Sequence, residues 1–198
     1  MRYTFPVEQA IRAASVLHAG QVRKGSVPYP YITHLFATAM IIADYTEDEH
    51  TIVSALLHET LHNTDYSREE MTDDFGPTVT HIVESITEPP LTSDDTRGRN
   101  EQRKEFFKQL KIAPDEALMV LAAGKIHTMR SIIEEYINDY TGFISEYGTQ
   151  HDERIHYYQE LSNALNRRLR NPILSEFNAV FAEYKNFIHD IKEQSETY

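Results

Sequence analysis

In the stretch Ser54-Ala-Leu-Leu-His-Glu-Thr-Leu-His-Asn-Thr-Asp65, two histidines stand four residues apart with a glutamate beside the first. Read as a helix, Leu56, Leu57, Thr60 and Leu61 fall on one side, and His58, Glu59, His62 and Asn63 on the other. That spacing stacks both imidazoles one above the other, with the Glu59 carboxylate alongside. Two neutral imidazoles and a carboxylate within one turn can hold a divalent metal and leave positions open for water. The plainer reading is the wet face of an amphipathic helix, which needs no metal at all. What decides between them is the company these residues keep.

The chain has no cysteine, so a metal must be held by histidine, aspartate or glutamate. Ten histidines are present, more than ordinary usage, but a histidine count alone has little specificity. A formal charge of −12 argues against a nucleic-acid or anionic-membrane partner, since both recruit Lys and Arg. An acidic protein still binds a small phosphate ester where a local cation supplies the attraction. With 198 residues, 40% hydrophobic and 25% charged, the composition is that of a soluble globular protein with one core. No apolar run approaches membrane-spanning length and no signal-like N-terminus is seen, so a cytoplasmic location is expected.

The elements that must position these residues read as helices nearly throughout. Val7 to Leu17 has helical periodicity and ends at Gly20; Gln21 to Tyr31, with Pro28 and Pro30, must be a loop. Thr33 to Tyr45 predicts a helix burying Phe36, Met40 and Ile41. Thr46-Glu-Asp-Glu49 and Ser67-Arg-Glu-Glu70 are capping-box patterns, the first opening the central helix. A short helix then ends at Phe75-Gly76, and Pro77 suits the first turn of one running to about Glu88. Pro89 to Asn100 predicts a mobile loop, followed by helices over Glu101–Lys111 and Pro114–Tyr140. Gly142 to Gln150 predicts a break, and Glu153–Leu169 another amphipathic helix. After Pro172 comes a last helix through Ile191, striped by Ile173, Phe177, Val180, Phe181, Tyr184 and Phe187. No run alternates with period two for long enough to demand a sheet.

In order along the chain stand His18-Ala-Gly-Gln-Val-Arg-Lys24, Pro30-Tyr-Ile-Thr-His34, Ala55-Leu-Leu-His-Glu59, Phe75-Gly-Pro-Thr-Val79 and Lys125-Ile-His-Thr-Met-Arg130. This series resembles the HD-domain hydrolases of the RelA/SpoT type, most closely the small stand-alone alarmone hydrolases. The resemblance covers roughly residues 7 to 170. It implies an all-α HD-domain fold, one divalent metal (usually manganese), and hydrolysis of the 3′-pyrophosphate of guanosine tetra- or pentaphosphate (ppGpp and its relative). It places His34, His58 and Glu59 at metal-ligand positions, and Arg23 and Lys24 in the loop that meets the nucleotide. The chemistry agrees: a metal polarises a phosphoryl oxygen and acidifies bound water. Arginine forks onto phosphate or stacks on a base, and lysine adds a point charge.

The departures from that pattern carry equal weight. Glu59 replaces the family's aspartate and is one methylene longer. His62 and Asn63 replace the acidic pair that orients the attacking water, and an amide cannot take a proton. Gly124 falls where the family has a fourth, aspartate ligand, and Thr128 replaces its ribose-side asparagine. Two outcomes are open. His62 replaces the missing ligand or acts as base, giving a nitrogen-rich set suited to zinc, iron or nickel. Otherwise the site is a relic that holds no metal, binds nucleotide or regulates a partner, and does not turn over. A rival from another class is a zinc peptidase, since His58-Glu-Thr-Leu-His62 fits that pattern, with Glu84 as a weak third ligand. The reading taken is a single HD-type domain over residues 1–198, an alarmone-hydrolase-like phosphohydrolase with a substituted site. Residues 171–198 are expected to close the core or to form a partner face, such as a homo-oligomer contact.

Overall fold

The computed structural model describes residues 3–25 and 27–195. Its helices are α1 (Phe5–Leu17), α2 (Ile32–Ile42), α3 (Glu49–Leu57), α4 (Thr60–Asn63), α5 (Arg68–Glu84), α6 (Thr96–Leu110), α7 (Asp115–Tyr136), α8 (Tyr140–Tyr147), α9 (His151–Arg168) and α10 (Ile173–Ser195). The fold is all-α. Among the described residues there is no strand, only an isolated antiparallel bridge between Val22 and Pro30 that pins the base of the loop between α1 and α2. No helix among them is long and apolar enough to cross a membrane.

Local chemistry sets most of the boundaries. Thr4 caps α1 by accepting from the Val7 N–H, with Pro6 in the first turn, where its missing donor costs nothing. Ser67 and Glu70 form the expected reciprocal capping box at the start of α5. Gly76, at φ +82°, breaks that helix at the expected place, in the left-handed region that glycine adopts without penalty.

Several expectations need correction. At the start of α3 the cap is Asp48, whose carboxylate accepts from the Thr51 N–H and hydroxyl, while Thr46 bonds back to the Asp48 N–H. A carboxylate satisfies orphan donors with charge assistance, so it displaces the threonine box. α6 starts at Thr96 rather than Glu101, because Asp95 caps it through the Gly98 N–H. Helix α7 stops at Tyr136, and the predicted break at Gly142 is instead the first turn of α8, capped by Asp139 through the Gly142 N–H. Met40 is 66% exposed, and α2 buries Leu35, Ala39 and Ile42 instead. Apolar residues surround this short helix, so its periodicity alone could not pick the inward face.

Helix α7 is the hub, touching α2, α3, α5, α8, α9 and α10. Its buried run Ala122-Ala-Gly124 carries almost no side chain, so α2 and α3 can approach its backbone closely. The α10 stripe is buried, with Ile173, Phe177 and Tyr184 its most enclosed members, and the helix packs on α7 and α9. The stripe is therefore part of the chain's own core. Each such aromatic contributes on the order of 2–3 kcal/mol by leaving water.

Candidate metal centre

The central helix does not run unbroken from 54 to 65. It stops at Leu57, turns through His58 and Glu59, and resumes as the short α4. His58 Nδ1 bonds to the Ala55 carbonyl at 2.8 Å, the acceptor that the Glu59 N–H would use in a continuous helix. The turn aims His58 at α2, where His34 faces it with ring centroids 5.2 Å apart.

One ligand atom each from His34, His58 and Glu59 lies within 4.8 Å of the other two, the one such group of three among the described residues. Residues 24 positions apart in the chain thus share one cavity of about 300 Å³. Each side chain is held through the atom a metal would not use. A carbonyl only accepts, so His58 carries its proton on Nδ1 and keeps the Nε2 lone pair for the cavity. His34 Nδ1 is 2.8 Å from His127 Nδ1, leaving its Nε2. Glu59 Oε2 accepts from Asn63 Nδ2 at 2.9 Å, leaving Oε1, which lies 3.5 Å from His58 Nε2. Two nitrogens and one oxygen, each steadied by an outer partner, fit a divalent ion.

The electrostatics match. Burial, then the neighbouring His58, pushes His34 well below its ordinary pKa, and burial lowers His58 despite the Glu59 charge. Both imidazoles are neutral near pH 7, as ligands must be. Burial alone would raise Glu59, but His58, Lys125 and His62 outweigh it and hold the carboxyl below its usual value.

The other singled-out residues divide between two spaces. His62 lines the first cavity but is exposed and stands outside the group of three. Asn63 lies on the same wall as the donor to Glu59 and, more weakly, to the Tyr31 hydroxyl at 3.3 Å. Its carbonyl accepts from Gln21, which also bonds His18, so the first loop braces this wall. Thr128 also lines the cavity, its hydroxyl proton spent on the Gly124 carbonyl. Arg23 and Lys24 line a second recess of about 490 Å³ instead. Arg23 stands over the ring of Tyr31, which lines the first cavity, and Lys24 over that of Tyr147 in the second recess, at 5.7 and 5.5 Å. His127 lines the second recess while touching His34, which lines the first.

Gly124 is where the aligned motifs put a missing ligand, and a Cβ built there would lie 3.1 Å from His58 Nε2. The position does face the nitrogen that His58 turns toward the cavity, and the glycine leaves that side bare. Glu84 pairs with Arg68 on the exposed face of α5 and gives no third peptidase ligand. Sequence reading passed over Lys125 and Glu88, which line the first cavity, and used His127 only to fix an alignment. The signal for His127 was its place in Lys125-Ile-His-Thr-Met-Arg130; nothing in the sequence marked Glu88.

Comparison with known proteins agrees with this architecture. The HD domain family matches residues 10–142. The chain is 32% identical over 126 residues to a probable GTP pyrophosphokinase of Mycobacterium leprae, covering 64% of this chain and 16% of that protein. It is 33% identical over 118 residues to a guanosine-3′,5′-bis(diphosphate) 3′-pyrophosphohydrolase of Haemophilus influenzae, covering 58% and 17%. The match thus spans less than a fifth of these curated relatives. Among solved structures, a metazoan ortholog of SpoT, described as hydrolysing ppGpp, superposes with a TM-score of 0.74 at 21% identity, over 92% of this chain and 97% of that one. A protein of Listeria monocytogenes EGD-e gives 0.65 at 20% identity, over 79% and 96%. Both likenesses concern the fold. With a family match over more than half its length, motifs in the same order and the same helical framework, the chain belongs to the HD-domain family, among relatives named as GTP pyrophosphokinases and guanosine-3′,5′-bis(diphosphate) 3′-pyrophosphohydrolases.

Proposed function

We propose that the protein is a metal-dependent phosphohydrolase acting on a nucleotide pyrophosphate of the ppGpp kind. The observation that carries this reading is the convergence of His34, His58 and Glu59, each with an outer partner and one atom to spare. These three would hold the ion; bound there, it polarises a phosphoryl oxygen and lowers the pKa of water. Arg23 and Lys24 supply the cationic wall of the adjoining recess and orient the nucleotide. Lys125, on the first cavity's wall, adds a positive charge suited to phosphate oxygens. His62, exposed at that cavity, is the side chain placed to take a proton from water, a role Asn63 cannot fill. Asn63 instead holds Glu59 in place.

Manganese is the ion the family resemblance suggests. The bare position at Gly124 makes the set richer in nitrogen, which favours zinc, iron or nickel in competition. That same position supports a second reading, a nucleotide-binding module without turnover. Metal analysis of protein purified without chelators, with pyrophosphate release from ppGpp, tests both. Bound metal and turnover, both lost in His58→Ala, support the hydrolase. Metal-free protein that binds guanine nucleotide and releases nothing supports the module.

A further inference from the structure

The three ligands are not held alike. The partner of His58 is a backbone carbonyl, which accepts a hydrogen bond and can do nothing else. The partner of His34 is another imidazole, and only one proton can lie between two Nδ1 atoms 2.8 Å apart. Two arrangements of the neutral pair follow. In one, His34 Nδ1–H donates to His127 Nδ1, His34 Nε2 keeps its lone pair for the metal, and the proton of His127 sits on Nε2. In the other, His127 Nδ1–H donates to His34 Nδ1, and the proton of His34 sits on Nε2, where it blocks coordination. Passing between them conserves protons: that of His34 moves from Nδ1 to Nε2, and that of His127 from Nε2 to Nδ1.

His127 also lines the second recess with Arg23 and Lys24. We propose that His127 is a positioning residue through which an anionic nucleotide in the Arg23 recess selects the metal-binding tautomer of His34. An acceptor oxygen there, drawn by the two cations, takes the His127 Nε2–H bond. That bond exists only in the arrangement that bares His34 Nε2. A donor at the same place would select the opposite arrangement and oppose the metal. Glu134 and Glu135 share the recess wall and Glu146 lies 3.8 Å from Lys24, so an occupant must set its anionic groups on Arg23 and Lys24, away from the first two carboxylates and in competition with the third. The inference rests on the proposed metal and nucleotide sites and adds a coupling between them: nucleotide and metal help each other bind, through one side chain. Such coupling is reciprocal.

The test uses guanosine 5′-monophosphate, a weak chelator, as the recess probe and cobalt(II) as the metal. Long-range 1H–15N spectra of the metal-free protein read both tautomers directly; the probe should raise the Nδ1–H population of His34 and the Nε2–H population of His127. The probe should also tighten cobalt binding about fivefold or more. In His127→Asn the amide oxygen accepts from His34 Nδ1–H whatever fills the recess. Cobalt affinity should therefore survive in that variant while the probe's effect disappears. In His127→Phe, His34 loses its partner and affinity should fall about 10–100-fold. Coupling that persists in His127→Asn, or His34 found as Nε2–H with the probe bound, overturns the proposal. So does cobalt binding that the probe leaves unchanged in the unsubstituted protein, an outcome that spares the metal site. Failure to take up cobalt under any condition removes the metal site and this inference together.

Discussion

Histidines collect in two places on this chain: the cavity walled by His34, His58 and His62, and the groove between α9 and α10 walled by His151, His156 and His189. In the first, two rings are buried, each has one nitrogen bonded to a fixed neighbour, and the other nitrogens converge with a carboxylate. In the groove, His151 is buried yet neither of its ring nitrogens has a partner, and its ring lies on Phe143. His156 and His189 are each 68% exposed and face Glu160 and Glu193 one turn along their own helices. The difference lies in second partners. An imidazole becomes a ligand when something else fixes its proton and its aim, and proximity to other histidines supplies neither.

The sharpest way to break this contrast is a pair of alanine substitutions. His34→Ala should cost more metal affinity than the roughly 10–100-fold typical of losing an outer partner, while His189→Ala leaves it unchanged. Equal losses in a metal titration would end the distinction. Next in size is Asn63, the outer partner of Glu59. Asn63→Ala should weaken metal binding about tenfold. Asn63→Asp sets two carboxylates side by side and should raise the pKa of Glu59, moving the pH dependence of metal binding upward. A pH titration of metal binding that shifts to higher pH would show it.

Gly124→Asp works in the opposite direction. The position faces His58 Nε2 at 3.1 Å, so the neighbour must give by a few tenths of an ångström, and a carboxylate there restores a fourth ligand. Metal binding should tighten by about tenfold, or about 1.4 kcal/mol. Unchanged affinity in a well-folded variant would mean that the bare side is not part of the coordination sphere.

Acid should loosen the metal-free fold. Burial, helped by the charges of Arg23 and His58, brings His127 down from the ordinary 6.5 to about 4, and His34 and His58 are lowered as well. Between those two values the unfolded rings bind protons that the folded ones refuse. Stability therefore rises with pH through that window and is lost as pH falls from about 6.5 to about 4. Melting curves across the range should show the decline, and His127→Asn should make it shallower. Smallest of all, His151→Phe should stabilise the protein by about 1 kcal/mol, because it removes two unsatisfied buried nitrogens and keeps the stack on Phe143. A destabilised variant would reveal a partner for His151.

Much of the helical layout was legible in the sequence, through the periodicity of Val7 to Leu17, Ser67 and Glu70, Gly76, and the stripe from Ile173 to Phe187. The misplaced boundaries share a cause. Asp48, Asp95 and Asp139 each cap a helix at a site where turn composition suggested a loop or a different start, since aspartate reads equally as loop or cap. Met40 was misplaced because an apolar neighbourhood hides which face is inward. In the site, His34, His58 and Glu59 were legible through their motifs. The position of His62 outside that group was not, because helical spacing assumes a continuous helix and the chain turns at His58.

By itself the sequence determined which groups are available: two imidazoles and a carboxylate in recognisable surroundings, a glycine where a ligand is missing, and two cations in the first loop. These are matters of residue type and order. The tertiary structure decided which atoms meet, because that depends on the close approach of α2 and α3 to the small-residue stretch of α7. The partners that fix each ligand also come from there: the Ala55 carbonyl across a helix break, Asn63 one turn on, and His127 from 93 residues away. A long-range contact of that last kind leaves no local pattern.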